Sequence, residues 1–258
     1  MTESYSVLSL YSGSKGNSFL VRVGDTRVLI DAGKSARTLC RALAEVGESI
    51  EEIDAILITH EHTDHTSALE VLLKKHGIPV HIVGASADRL TSRGTFTRLD
   101  RLVSHPPVFT EQIGSLRVTS FPIPHDSAFC VGYIIEAQGT RIGYATDIGH
   151  VTKAVRENLL GCESVIIESN HDEQMLMTGS YPYDLKLRIR SDRGHLSNSA
   201  CAVLCSELFA SGTRNIMLAH LSEENNEPDL AFGEVWSAVG DSGLNLKVAS
   251  QYESVRLV

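Results

Sequence analysis

Six residues, His60-Glu61-His62-Thr63-Asp64-His65, constrain this chain more than any other stretch: they set three imidazoles and two carboxylates directly after the apolar run Ala55-Ile56-Leu57-Ile58. Neither the two-residue period of a strand nor the 3.6-residue period of a helix points all of these groups one way. A turn must therefore fan them about more than one centre. Two neighbouring ions, each taking nitrogen and oxygen ligands, satisfy that geometry. The alternative is a solvated loop that happens to be rich in His, and the ligand types at this spacing argue against it.

The rest of the chain supplies an ordinary globular frame for such a turn. Its 258 residues are 42% apolar and 21% charged, and no repeat, low-complexity linker or long charge block divides them, so a single domain over residues 1–258 is expected. The opening Met1-Thr2-Glu3-Ser4-Tyr5 lacks a basic region followed by an apolar stretch, and no apolar run approaches the length of a membrane span. The expectation is a cytoplasmic protein with no membrane partner; the sequence leaves its oligomeric state open. Cys40, Cys130, Cys162, Cys201 and Cys205 form an odd set without CxxC spacing, and they read as reduced core thiols rather than ligands. A net charge of −9 disfavours nonspecific adhesion to nucleic acid. Lys186, Arg188 and Arg190 nevertheless alternate, so an extended strand would project all three from one face. Such a stripe would hold a DNA backbone through salt-sensitive contacts, or else simply blunt an exposed sheet edge.

Hydrophobic periodicity predicts strands over Val7 to Leu10, Phe19 to Val23 and Val28 to Ile30, then a helix through Leu39, Leu43 and Val46, capped by Ser35 and ended by Gly47. A second helix is expected from Ser67 to His76. Further strands are expected near Leu116 to Phe121, Val131 to Glu136, Arg141 to Ala145, Val165 to Ile167 and Ile216 to Ala219, with helices near Ala154 to Leu160, Asn198 to Ala210 and Leu230 to Val239. This is a mixed α/β chain. Asp31, His60, Asp147, Glu168 and His220 each follow an apolar strand at its carboxyl end, which brings titratable groups to one rim, where α/β sheets commonly build their sites.

Three further ligand candidates stand beyond the opening cluster: His125 after Phe121-Pro122-Ile123-Pro124, Asp147 after Tyr144-Ala145-Thr146, and His220 after Met217-Leu218-Ala219. The order HxHxDH, His, Asp, His resembles the metallo-β-lactamase superfamily over nearly the whole chain. The resemblance implies a four-layer αβ/βα sandwich and two divalent metal ions, one held by His60, His62 and His125, the other by Asp64, His65 and His220, with Asp147 bridging. Asp31 is similar to the family's first motif, a carboxylate behind the ligands that orients the His-rich loop. Zn or Mn suits such mixed ligation, and Fe is possible. Two such ions can share a water, lower its pKa and stabilise charge on the attacking and leaving oxygens, so the bridging hydroxide becomes the expected nucleophile, with Asp64 and Asp147 holding it in line. An Asp rather than a Cys at position 147 resembles the phosphodiesterase and glyoxalase members.

Shorter stretches resemble the YycJ/WalJ group: Ser12-Gly13-Ser14-Lys15-Gly16-Asn17-Ser18, Ser169-Asn170-His171-Asp172, Gly194-His195-Leu196-Ser197-Asn198, and the segment from His220 to Pro228. The group's activity implies a 5′ to 3′ exonuclease with DNA as substrate. The residues themselves are compatible with phosphate. The turn around Asn17 would offer amides to an anion or serve as an ordinary hairpin. His195 would protonate a leaving oxygen, while Ser197 caps the helix that begins at Asn198 and, together with Asn198, meets a substrate phosphate at its amino terminus. Asn170 and His171 follow a strand and would line the pocket. Two other readings keep the same metals: a small-molecule hydrolase acting on a cyclic phosphodiester or a glyoxalase-like thioester, and a phosphate-binding module that does not cut.

Overall fold

A computed structural model describes every residue except 1–4, 93, 95, 97, 138, 241 and 242; the amino-terminal segment Met1 to Ser4 considered above thus lies outside the described residues. In chain order the strands are β1 (Tyr5–Tyr11), β2 (Ser18–Val23), β3 (Thr26–Ile30), β4 (Ala55–Leu57), β5 (Val80–Val83), β6 (Leu102–His105), β7 (Thr110–Ile113), β8 (Leu116–Ile123), β9 (Cys130–Ala137), β10 (Thr140–Ala145), β11 (Ser164–Glu168), β12 (Asn215–Ala219), β13 (Asn245–Val248) and β14 (Val255–Arg256). The helices are α1 (Ala36–Glu45), α2 (Thr63–Thr66), α3 (Leu69–Lys75), α4 (Gly84–Thr91), α5 (Lys153–Leu159), α6 (Glu173–Thr178), α7 (Tyr183–Ile189), α8 (Asn198–Ala210) and α9 (Pro228–Val239).

Among the described residues these strands form two seven-stranded sheets, ordered β14-β1-β2-β3-β4-β5-β6 and β13-β12-β11-β10-β9-β8-β7. The two-residue period of each strand sorts its side chains between cores. In β3, Val28 and Ile30 face the other sheet, whereas Leu29 faces outward onto α1, α3 and α4. The second sheet divides likewise: Tyr133 and Ile135 enter the core between the sheets, and Ile134 packs outward in the core that also holds residues of α5, α8 and α9. Helix, sheet, sheet, helix is therefore the layer order, the expected αβ/βα sandwich.

Each sheet is half parallel and half antiparallel. β3, β4, β5 and β6 run parallel, as do β10, β11, β12 and β13. Parallel neighbours present their carboxyl ends on one side, so β3, β4, β10, β11 and β12 all empty onto a common rim. The anticipated strands and helices are present with boundaries shifted by a few residues. Ser35 caps α1 by accepting from the Thr38 amide, and α8 spans the predicted Asn198–Ala210. The expected helix from Ser67 to His76 is α3, which starts two residues later and is ended at Gly77 with φ +64, and a separate short α2 precedes it.

The alternating cations required a larger correction. Lys186, Arg188 and Arg190 lie in and just after helix α7, not on a strand, so the three do not share one face. Their two-residue alternation with Leu185, Leu187 and Ile189 imitates a strand, but contacts elsewhere in the fold decide the outcome. Lys186 is buried, and its ammonium donates to the carbonyls of Met177 and Gly179 at 2.9 and 2.8 Å, tying α7 to the end of α6.

Candidate metal centre

The rim gathers residues from six segments. Asp31 follows β3, and residues 60–65 follow β4 into the start of α2. His125 follows β8, Asp147 follows β10, Glu168 ends β11, and His220 follows β12. Burial of the polar groups is nearly complete: His60, His65, Asp31 and Glu168 are fully buried, Asp147 is 1% exposed and His220 3%.

Their ligand atoms fall into overlapping groups that could each hold an ion. His60, His62 and His125 make one, Asp64, His65 and His220 another, and within each the ligand atoms lie within 4.8 Å of one another. Asp147 joins the two. Its Oδ1 is 3.6 Å from His125 Nε2 and 3.5 Å from His220 Nδ1, and its Oδ2 is 3.4 Å from His65 Nε2. A direct fit test comes from atoms with nothing else to do. His60 Nε2, His220 Nε2 and Asp147 Oδ2 are buried without a hydrogen-bond partner, a costly condition unless a cation accepts their lone pairs. The donor set is chemically right for divalent metal: imidazole nitrogens and carboxylates, with carboxylate charge held close to the rings.

Charge balance points the same way. Burial alone would raise the pKa values of Asp64 and Asp147, yet neighbouring imidazoles hold both well below the usual carboxylate range. Burial would likewise depress His65 and His220. Instead, Asp64, Asp31 and Asp147 lift His65 well above an ordinary imidazole, and Asp147, Asp64 and Glu168 carry His220 up to about 10. The cluster of carboxylates thus demands positive charge, which protonated rings or metal ions can provide. His60 and His125, set mainly among other rings, are driven the opposite way by burial and stay neutral.

A second layer of contacts fixes the ring orientations. Asp31 accepts from the Thr59 amide at 2.9 Å through Oδ1 and pairs with His65 Nδ1 at 2.7 Å through Oδ2, leaving His65 Nε2 for the centre. Burial pushes the Asp31 carboxyl up, and His65 opposes that push. Glu168 has a parallel position: Oε1 lies 2.8 Å from both His195 Nδ1 and His220 Nδ1, while Oε2 accepts from the amides of Ile148 and Leu196. Burial works against its ionisation, but His195 and His220 hold its carboxyl down to about 2. The sequence marks Glu168 only as an acid at a strand end; its partners lie in two other segments. His125 Nδ1 donates to the Gly194 carbonyl at 3.1 Å, and Glu61, between two of the ring donors, turns away and accepts from the Ala128 amide.

The residues expected to meet substrate divide. His195 stands at the wall between two clefts of about 420 and 180 Å3. The larger is lined by His171, Arg190 and Ser197, the smaller by Asn170, Tyr181 and Arg188. His171 is 2% exposed, its Nδ1 lacks a partner, and burial lowers its pKa to about 4, so the ring is neutral. Ser197 caps α8 and also donates to Glu173. Arg188 is engaged with Asp126 at 2.5 Å. Two expectations fail. Asn198 is buried in a network with Ser169 and Asn226, where both its amide atoms are spent. Lys186 is spent on backbone carbonyls, as described above. In the turn around Asn17 three amides are spent within the protein: the Gly13 amide donates to Asn17 Oδ1, the Gly16 amide to the Gly13 carbonyl, and the Asn17 amide to the Asp64 carbonyl, while Ser14 and Lys15 between them are exposed. Asn17 instead reaches toward the centre, its Nδ2 lying 3.4 Å from Asp64 Oδ2 and 3.3 Å from His65 Nε2.

Comparison with known proteins gives the family and the fold. Residues 26–220 match the family described as the beta-lactamase superfamily domain. The chain is 31% identical over 251 residues to exodeoxyribonuclease YycJ of Bacillus anthracis, covering 94% of this chain and 91% of that protein. It is 33% identical over 248 residues to exodeoxyribonuclease WalJ of Streptococcus pneumoniae, covering 95% and 91%. Among solved structures, the metallo-β-lactamase fold protein YhfI from Bacillus subtilis superposes with a TM-score of 0.71 at 15% identity, covering 98% of this chain and 99% of that one, a likeness of fold.

Proposed function

Because this chain belongs to the metallo-β-lactamase superfamily of hydrolases, we propose that it is a dinuclear metal-dependent phosphodiesterase that shortens DNA from its 5′ end. One observation carries the reading: seven ligand side chains, His60, His62, Asp64, His65, His125, Asp147 and His220, converge in two groups joined by Asp147, with orphaned buried donors between them. The names of the two relatives, each covered over nine-tenths of its length, direct that chemistry to DNA.

In this reading His60, His62 and His125 hold one ion and Asp64, His65 and His220 the other. Divalent ions so held supply Lewis acidity, which lowers the pKa of a shared water and draws charge from a phosphoryl oxygen. Asp31 and Glu168 keep the rings of His65 and His220 turned inward. His195 is the general acid. Its Nδ1–H stays on Glu168, so giving a proton from Nε2 requires the imidazolium form, whose charge the carboxylate balances. A phosphodiester has a group on either side of phosphorus, and the two clefts flanking His195 give each group a place. Arg190, His171 and the amino terminus of α8 face the larger one.

End-labelled, 5′-phosphorylated duplex DNA tests the proposal beside bis-p-nitrophenyl phosphate and a glutathione thioester. Mononucleotide release from the 5′ end, abolished by chelation and restored by Zn or Mn, is expected. Thioester turnover without nuclease activity would overturn it. DNA retained but never shortened with several metals would leave a binding module.

A further inference from the structure

His81 and His105 carry no part of the centre described above, yet the fold assembles them with a carboxylate at the opposite end of the strand order. β6 is the last strand of one sheet and β7 the last of the other. In the parallel pair β5–β6, His81 is opposite Val103 and Val83 opposite His105, so both imidazoles share a face with Val83, a residue of the core between the sheets. In β7, Glu111 alternates with the buried Ile113 and so points back toward that gap.

We propose that His81, His105 and Glu111 form a divalent transition-metal site, sharing no ligand with the active centre, that clips the β6 edge of one sheet to the β7 edge of the other. His81 Nδ1 lies 2.9 Å from His105 Nε2, and the Glu111 carboxylate joins them with all three ligand atoms inside 4.8 Å. Tetrahedral ligation at about 2.0–2.1 Å places ligand atoms about 3.3 Å apart, so the ring pair needs to open by only a few tenths of an ångström and the carboxylate to close by at most about 1.5 Å. The rings are preset: His105 stacks on Phe109 at 3.9 Å between centroids with 12° between planes, and on His81 at 5.1 Å.

Protonation favours a cation here. Burial lowers the pKa of both rings, and Glu111 opposes that only in part, so at neutral pH they present lone pairs rather than positive charge. Without an ion the two rings share one proton, which metal would displace. Among the described residues no ion pair joins Glu111 to a Lys or Arg, and the groups it faces are the two neutral imidazoles. Two imidazoles and a carboxylate with a water in the fourth position make a familiar Zn donor set.

Titration of metal-free protein with Zn2+ against a chromophoric competitor counts tight equivalents in the parent, in His105→Gln and in Glu111→Gln. His105→Gln is expected to bind one equivalent fewer than the parent, to lose part of the Zn-dependent rise in Tm, and to keep the parent's hydrolytic rate when saturated. Glu111→Gln, on a half-buried edge strand, is expected to weaken one equivalent roughly tenfold or more. Binding unchanged from the parent in either variant overturns the site. Should His105→Gln fail to fold, Glu111→Gln decides alone. The count is relative to the parent, so it stands whatever number of ions the active centre proves to take.

Discussion

Asp31→Asn is the sharpest test of how the centre is held, because it alters hydrogen bonding with almost no change of shape. Asp31 sits at φ +61, a left-handed conformation that Asn tolerates, so backbone strain is held nearly constant. Its two oxygens face separate donors, the Thr59 amide at 2.9 Å and His65 Nδ1 at 2.7 Å, with the Thr59 hydroxyl 3.1 Å from both. An amide has one acceptor oxygen to offer. If it keeps Thr59, its NH2 meets the Nδ1–H of His65, and the ring must move its proton to Nε2, the atom required as a ligand. If it keeps His65, a buried backbone amide goes unsatisfied, at about 1–3 kcal/mol. Either choice costs about the same as the 10- to 100-fold loss in metal affinity that follows removal of a ligand's supporting partner. Asp31→Ala loses both bonds and adds about 1–2 kcal/mol for a Cβ residue in the left-handed region without a side chain to hydrogen-bond locally. Calorimetric titration of the metal-free variants with Zn2+, with hydrolysis measured at saturation, gives the order parent, Asn, Ala. An Asn variant that binds metal and turns over substrate like the parent would refute the argument that His65 is aimed through Asp31.

His195→Gln is expected to lower kcat by about 100- to 10,000-fold while metal content stays at the parent's value, as loss of a general acid requires; metal analysis and steady-state kinetics on one preparation check it. In Gly33→Ala the new Cβ would stand 1.9 Å from the Asp64 carbonyl and 2.6 Å from the Asn17 amide, both backbone atoms, so the segment carrying Asp64 and His65 must shift. Metal stoichiometry and Tm should fall together in that variant. Lys186→Met should lower Tm by exposing two carbonyls and leave the salt dependence of DNA binding unchanged. Arg190→Ala, in the larger cleft, should reduce the slope of log affinity against log salt by about one.

The rim was legible in the sequence because its signal is local: an apolar strand followed at once by an acid or a His, five times over. The alternation of strands with helices then brings those strand ends to one rim, since parallel strands align their carboxyl ends. Residues whose role lies in a distant contact carried no such mark. Thr59 matters through Asp31, 28 positions away, and Glu168 through His195 and His220, 27 and 52 positions away. Asn198, which opens a helix and looks free to meet phosphate, is consumed by Asn226 across the fold. In Lys186 to Arg190 the local pattern pointed to the wrong structure, because a two-residue alternation of charge also fits a short helix whose lysine is drawn inward by carbonyls. The strands β5, β6, β7, β13 and β14 were not anticipated; β6 and β7, half exposed and mixed in composition, lack the apolar run of the strands that were.

The turns at the rim have a further property that the identity of their residues only hints at. Of the non-glycine residues with positive φ among those described, Asp31, Asp147 and His220 adopt +61, +60 and +56, and each stands within two residues of a strand end with its side chain in the centre. The left-handed region costs an ordinary residue about 1–2 kcal/mol, less for Asp and His than for branched side chains. Three such residues are a substantial burden for one protein, and local folding preferences do not repay it. A strand that continued regularly would send alternate side chains into the cores above and below the sheet. Reversing φ at the first residue past the ladder turns the side chain along the strand axis instead, toward the mouth between the sheets, where groups from both sheets can meet. The strain is balanced by hydrogen bonds that survive only in this arrangement: the Asp31 amide donates to the Leu57 carbonyl at 2.8 Å, and the His220 amide to Ser12 Oγ at 2.8 Å. Glycine would relieve the backbone at these positions and remove the candidate ligands Asp147 and His220 and the Asp31 carboxylate behind His65. Side chains of the centre and of its support therefore occupy turns for which glycine is the conformationally cheaper choice.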